Sequence, residues 1–362
     1  MLPPTKKTLQ FLPPPLPPST ESSSSSVRAS ESREQRAASA GEMATIAVPT
    51  PVPSPAADAE TLRNAVQGWG TDEKALVEIL GRRTAAQRAE IRRAYASLYK
   101  ESLLARLHGE LSGHFQKAMV LLATEPAERD AKLAREALGR RRGDDRDAWV
   151  LIEASCAAAP DHLVAVRRAY RSLHGSSLEE DVAACPAFQE PLRKLLVSLV
   201  RSYRCGEESV DMDVARLEAA QLAEAIRRKK QPHGGEVVRI VSTRSKPQLA
   251  ATLRCYKEQH GSDIEEDMKQ YSSSQFARML KIAVWCLTSP EKHFAEVIRY
   301  SILGLGTDED ALTRAIVSRA DIDMKMIKQE YRVRFKTTVT DDVVGDTSGY
   351  YMEILLALVG KE

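Results

Sequence analysis

Gly68-Trp69-Gly70-Thr71-Asp72-Glu73 and Gly304-Leu305-Gly306-Thr307-Asp308-Glu309 are one phrase written twice, near the two ends of the helical part of the chain. Each is a Gly-x-Gly-Thr-Asp-Glu turn that runs into a helical pattern. Each is followed by an acid at the same distance: Glu110 lies 40 residues past Gly70, and Asp346 lies 40 past Gly306. A single Gly-x-Gly says little. The same turn with the same distant carboxylate, at both ends of a repeat array, predicts a functional site.

The array shows in a second phrase, basic or polar residues closed by a tyrosine. It reads Ile91-Arg92-Arg93-Ala94-Tyr95, Val166-Arg167-Arg168-Ala169-Tyr170, Leu253-Arg254-Cys255-Tyr256 and Ile327-Lys328-Gln329-Glu330-Tyr331. The tyrosines are 75, 86 and 75 residues apart, so four units of about 75 residues are expected, with extra chain between the second and third. Twelve residues before the tyrosines stand Arg83, Ala158, Arg244 and Arg319, and the three arginines are expected to tie helix ends within their units. Apolar stretches at helical spacing flank them, and Met119–Leu122, Leu195–Val200, Met279–Val284 and Ile354–Val359 each predict a further buried helix. Pro126, Pro186, Pro191, Pro232 and Pro290 divide these stretches into several short helices per unit.

Residues 1–56 are different material, with 11 of the 18 prolines and the run Ser22–Ser26. Such a segment buries too little apolar surface to offset its ordering entropy and reads as a disordered tail. Met43-Ala44-Thr45 resembles a natural start, so residues 1–42 read as an upstream extension. A transit peptide is the rival reading, opposed by Glu21, Glu31, Glu34 and Glu42. The expected division is a tail at 1–56 and units at 57–126, 127–204, 205–290 and 291–362.

The 362 residues carry 52 basic and 50 acidic side chains, a net charge of +2, with 28% charged and 5% aromatic. This describes a surface-charged helical protein, without the charge excess of a nucleic-acid binder. The basic clusters Arg140–Arg142 and Arg227–Lys230 read as solvated faces or lipid contacts. Cys156, Cys185, Cys205, Cys255 and Cys286 are scattered and odd in number, as expected of reduced thiols in a cytosolic protein. No apolar run reaches the roughly 20 residues needed to span a bilayer.

The chemistry of the turn admits two readings. On the simpler one it only starts a helix, with Thr71 or Thr307 as cap and Asp72-Glu73 or Asp308-Glu309 in the first turn, where the dipole favours acids. That leaves the distant acid unexplained. A hard cation such as Ca²⁺ takes six to eight oxygens, mixing carbonyls, a carboxylate and water, and glycines let a loop turn its carbonyls toward one point. The units supply an internal control. Where the first and fourth have Gly70 with Glu110 and Gly306 with Asp346, the second has Asp145 with Cys185 and the third Gln231 with Tyr271. Loop and acid are kept or lost together, which favours a two-part ligand site.

These residues resemble those of an annexin over about 57–362, and Trp69 between glycines with two degenerate middle units resembles plant annexins in particular. The resemblance implies an all-α fold: four five-helix bundles arranged as a curved disc, behind a disordered N-terminal tail. It implies Ca²⁺ on the convex face, bridging to acidic phospholipid headgroups, in a cytoplasmic protein that joins membranes peripherally when calcium rises and can self-associate there. Carried over by position, the ligands are the carbonyls of Val66, Gly68 and Gly70 with the Glu110 carboxylate, and those of Ile302, Gly304 and Gly306 with the Asp346 carboxylate. Trp69 and Leu305, at the loop tips, would face the membrane.

The chain departs from some family proposals. A peroxidase activity has been tied to a histidine in unit one of plant annexins; here Arg82 stands in its place. A GTPase-like Asp342-Val343-Val344-Gly345 has no accompanying phosphate loop. The phrase matching a proposed actin motif is Val238-Arg239-Ile240, whose apolar members periodicity assigns to the core, so actin binding rests on the resemblance alone. The leading expectation is a non-catalytic, calcium-dependent phospholipid binder. An ion-conducting protein and an enzyme are the alternatives.

Overall fold

Repetition in sequence becomes repetition of helices. The computed structural model describes residues 42–361 apart from 69, 141–143, 207–208, 273 and 305. Repeat one forms α1 (Pro55–Ala65), α2 (Glu73–Leu80), α3 (Ala85–Tyr99), α4 (Leu103–Glu110) and α5 (Gly113–Ala123). Repeat two forms α6 (Pro126–Arg140), α7 (Asp145–Ile152), α8 (Pro160–His174), α9 (Leu178–Ala184) and α10 (Leu192–Val200). Repeat three forms α11 (Met212–Ala223), α12 (Gly235–Thr243), α13 (Lys246–His260), α14 (Ile264–Tyr271) and α15 (Gln275–Thr288). Repeat four forms α16 (Pro290–Ile302), α17 (Glu309–Arg319), α18 (Met324–Phe335), α19 (Val339–Asp346) and α20 (Gly349–Val359). No strand occurs among the described residues.

Local signals set the boundaries. Pro55, Pro160 and Pro290 occupy first-turn positions, where the missing N–H costs nothing. Thr84 with Gln87 and Ser177 with Glu180 form reciprocal capping boxes. The third helix of each repeat carries the tyrosine, and Tyr95, Tyr170, Tyr256 and Tyr331 are all fully buried. That helix packs against the first helix of its own repeat in all four units.

Repeats associate in pairs. In the first pair α20 lies against α2 and α5, and α17 against α5, joining repeat four to repeat one. In the second, α10 packs on α12 and α15, and α7 on α15, joining repeat two to repeat three. The pairs meet through Glu153, which accepts from His293 Nε2 at 2.8 Å and from Arg314. Glu153 opens a π-helical turn, Glu153–Ala157, that continues α7; a second, Glu224–Arg228, continues α11. Nothing in the sequence pattern signals either wide turn.

The arginines tie elements as expected, with different partners. Arg83 grips Asp58 of α1 through two bonds of 2.7 and 2.8 Å, and Arg244 grips Glu218 of α11. In repeat four Phe294 stands in register with Asp58, and Arg319 stacks on its ring at 4.7 Å while pairing with Asp323. Repeat two has lost both members, with Leu133 in the acid's place and Ala158 in the arginine's.

The tail expected at 1–56 divides. Residues 1–41 lie outside the described residues. Within residues 43–54 the Thr45 amide donates to the Ala320 carbonyl at 3.1 Å and Ile46 packs on the core. Pro55 already begins α1. Low hydrophobicity did not prevent this order, because the segment borrows carbonyls and a core edge from repeat four.

Candidate calcium loops

Two loops of the same construction join α1 to α2 and α16 to α17. Each is closed by one bond: the Asp72 amide donates to the Ala65 carbonyl at 2.8 Å, and the Asp308 amide to that of Ser301 at 2.7 Å. Gly68 and Gly70 have φ of 106° and 93°, Gly304 and Gly306 of 134° and 105°. These left-handed values suit glycine. A Cβ at any of the four would meet open space, so conformation, not crowding, demands glycine here.

The helix cap is not the residue expected. Asp72 Oδ1 accepts from the Ala75 amide at 3.0 Å and Asp308 Oδ1 from Ala311 at 3.1 Å, so the aspartates, not Thr71 and Thr307, cap α2 and α17. A carboxylate satisfies the same orphan amide and also gains from the dipole. The Thr307 hydroxyl is thereby left to donate to Asp346 Oδ2. That bond spans 39 residues and holds the distant acid at the loop.

Glu110 and Asp346 are the last residues of α4 and α19. A carboxylate at a helix C-terminus sits at the negative end of the dipole, which is unfavourable unless a cation is near. Among the described residues no three His, Cys, Asp or Glu side chains converge, so a cation at these loops would rest mainly on backbone oxygens. Carbonyls plus one carboxylate form a hard, low-charge donor set that suits Ca²⁺.

The two loops are not equivalent. In repeat one Arg106 Nη2 donates to the Val66 carbonyl at 2.8 Å and lies 3.2 Å from Glu110 Oε1. Two of the four expected ligands in that loop therefore already face a guanidinium. The corresponding loop of repeat two has other work. Asp145 is held by Arg278 at 2.8 Å and Gln275 at 3.2 Å, tying repeat two to three, and Cys185 is buried. Trp69 and Leu305 lie outside the described residues. Sequence spacing did not reveal Arg106 or the Thr307 bridge; registering every unit eleven residues past its tyrosine would have exposed the first.

The annexin family model matches residues 57–122, 218–282 and 293–358. Annexin D3 of Arabidopsis thaliana is 45% identical over 323 residues, covering 88% of this chain and 100% of that protein. The chain belongs to the annexin family. The solved structure of annexin III superposes with a TM-score of 0.80 at 31% identity, covering 88% of this chain and 98% of that one. A calcium-bound annexin (Sm)1 gives a TM-score of 0.74 at 27% identity, over 88% and 93% of the two chains. The fold is thus the annexin fold of four five-helix repeats, and repeat two keeps its five helices although the matched residues omit it. Annexins bind calcium, and as a family they are in the main calcium-dependent membrane binders, which supports a non-enzymatic role. No helix among the described residues is long and apolar enough to cross a membrane.

The positions singled out for other activities have structural partners in this annexin. Val238 and Ile240 are core residues, and Arg239 pairs with Glu218 and Glu236. Asp342 accepts from Tyr331 and Arg299. The five cysteines are unpaired thiols, four of them buried.

Proposed function

We propose that this annexin binds acidic phospholipid surfaces through its loops in repeats one and four, as a cytoplasmic protein recruited peripherally when calcium rises. The observation that carries the reading is the Thr307 hydroxyl, which holds the Asp346 carboxylate against the Gly304–Gly306 loop. The carbonyls of Ile302, Gly304 and Gly306 with Asp346 would hold one ion. Those of Val66, Gly68 and Gly70 with Glu110 would hold a second. Bound calcium supplies positive charge with open positions for phosphate oxygens. Trp69 and Leu305, between the glycines, would enter the headgroup layer, where an indole is favoured. The four repeats, whose first helices begin at Pro55, Pro126, Met212 and Pro290, divide the labour: the outer two bind, the middle two support.

A site with one carboxylate and no cage binds calcium at about 10⁻⁴–10⁻³ M by itself. Lipid phosphate completing the shell raises that affinity, and linkage makes the effect reciprocal. Co-sedimentation with phosphatidylserine vesicles is the test. The wild-type chain pellets with calcium and not with chelator, and Asp346→Asn loses most of this binding at submillimolar calcium. A Glu110→Gln/Asp346→Asn double variant that still pelleted like wild type in calcium would refute the loop assignment.

A further inference from the structure

We infer that Arg106 is a built-in cation that latches the repeat-one loop, so that calcium fills repeat four first and must displace a guanidinium to fill repeat one. This rests on the loop assignment above and adds an order of filling to it.

Repeat one departs from the other three at two linked positions. Eleven residues past the buried tyrosine, repeats two, three and four have Asp181, Asp267 and Asp342. Each accepts from its own tyrosine hydroxyl, at 2.6 Å in repeats two and three. Six residues past the tyrosine the same repeats have Ser176, Ser262 and Thr337, whose hydroxyls donate to that aspartate at 2.7, 3.0 and 3.2 Å. An arginine completes each cluster: Arg135, Arg227 and Arg299.

Repeat one breaks the pattern at both positions together. Its sixth residue is the acid Glu101 and its eleventh is Arg106. Arg63, in register with Arg299, now pairs with Glu101 and donates to the Tyr95 hydroxyl at 3.3 Å. The internal cluster keeps one acid and one arginine, so it has no place for a second guanidinium. Arg106 turns instead to the loop, on the Val66 carbonyl and the Glu110 carboxylate. Its charge offsets the carboxylate at the negative end of α4, the role a calcium ion would take. A divalent ion beside a guanidinium on shared oxygens is repelled. In repeat four the equivalent residue is Asp342, engaged inside its own repeat, and Asp346 is met by a neutral hydroxyl at 2.5 Å.

The experiment isolates repeat one by working in full-length Asp346→Asn. Calcium is titrated by calorimetry and by co-sedimentation with phosphatidylserine vesicles. Adding Arg106→Gln is expected to lower the half-maximal calcium concentration about tenfold, as loss of one partly screened charge beside the site would. Arg106→Lys, which keeps the charge, leaves it near that of Asp346→Asn alone. Adding Glu110→Gln to the Arg106→Gln protein abolishes the gain. Thermal melting confirms that each variant is folded. If Arg106→Gln gains nothing while Glu110→Gln still weakens calcium binding, the latch is wrong and the loop assignment stands. If Glu110→Gln changes nothing in either background, the assignment of the repeat-one loop falls, and the latch with it.

Discussion

Asp130 shows how a single side chain can tie stability to pH. It accepts from Arg129 at 3.0 Å and from His162 at 2.7 Å beneath the start of α8. Burial alone would raise its pKa, but the Arg129 charge and the His162 bond outweigh burial and hold it at about 2, against an ordinary 3.8. A depressed carboxylate contributes stability above its unfolded pKa and loses it as pH falls through the folded value. Asp130→Asn should therefore cost about 2 kcal/mol at neutral pH. The gap from wild type should shrink between about pH 4 and pH 2. Thermal melts of both proteins across that range check it; a constant gap would mean that the charge is not the source. Arg106 belongs to the same scale. Its residue type was plain in the sequence, but its partners were not, because only the fold decides which oxygens an arginine can reach.

Among the helices, the tie between the first helix and the Arg-bearing turn has three versions in one chain. Repeats one and three use an acid and an arginine, both buried in repeat one but only the acid Glu218 in repeat three, repeat four an aromatic ring with Asp323, and repeat two a leucine with an alanine. A buried ion pair is costly to break singly and cheap to replace whole. Arg83→Ala should then cost about 3 kcal/mol, because it strands Asp58. The double variant Asp58→Leu/Arg83→Ala, which copies repeat two, should recover most of that loss. Denaturant melts of the two singles and the double form the test, and simple additivity would contradict it. The sequence announced these arginines by their spacing. It hid the partner acid because Asp58 and Glu218 stand one residue out of strict register.

Across the full chain, Glu153 is a buried polar contact between the two repeat pairs, which the exposed Arg146–Asp308 pair and the packing of α15 on α16 also join. Its π turn carries it from repeat two to His293 and Arg314 of repeat four. Burial would raise its pKa, but Arg314 and His293 prevail and hold it low, so the carboxylate stays charged at neutral pH. Glu153→Ala leaves Arg314 buried without that partner and should cost about 3 kcal/mol, a drop of several degrees in Tm. The loss should appear as faster proteolysis between the pairs, since each pair keeps its own apolar interface. Unchanged Tm and cleavage would show that the Glu153 contact is not what holds the pairs together.

Local pattern was enough to read the repeat, its helices and the two loops. Periodicity, capping residues and glycines act over a few residues, and a fourfold copy makes each such signal readable against the others. The equal spacing of Glu110 and Asp346 from their glycines was legible for the same reason, and their role as ligands is the proposal made above. Packing settled how repeats pair, that Thr45 is held on repeat four, and that the Thr307 hydroxyl meets an acid rather than a helix amide. It also made the two loops differ, since Arg106 acts on a carbonyl 40 residues away. Such contacts depend on where folding brings separate segments together, and no local pattern encodes that.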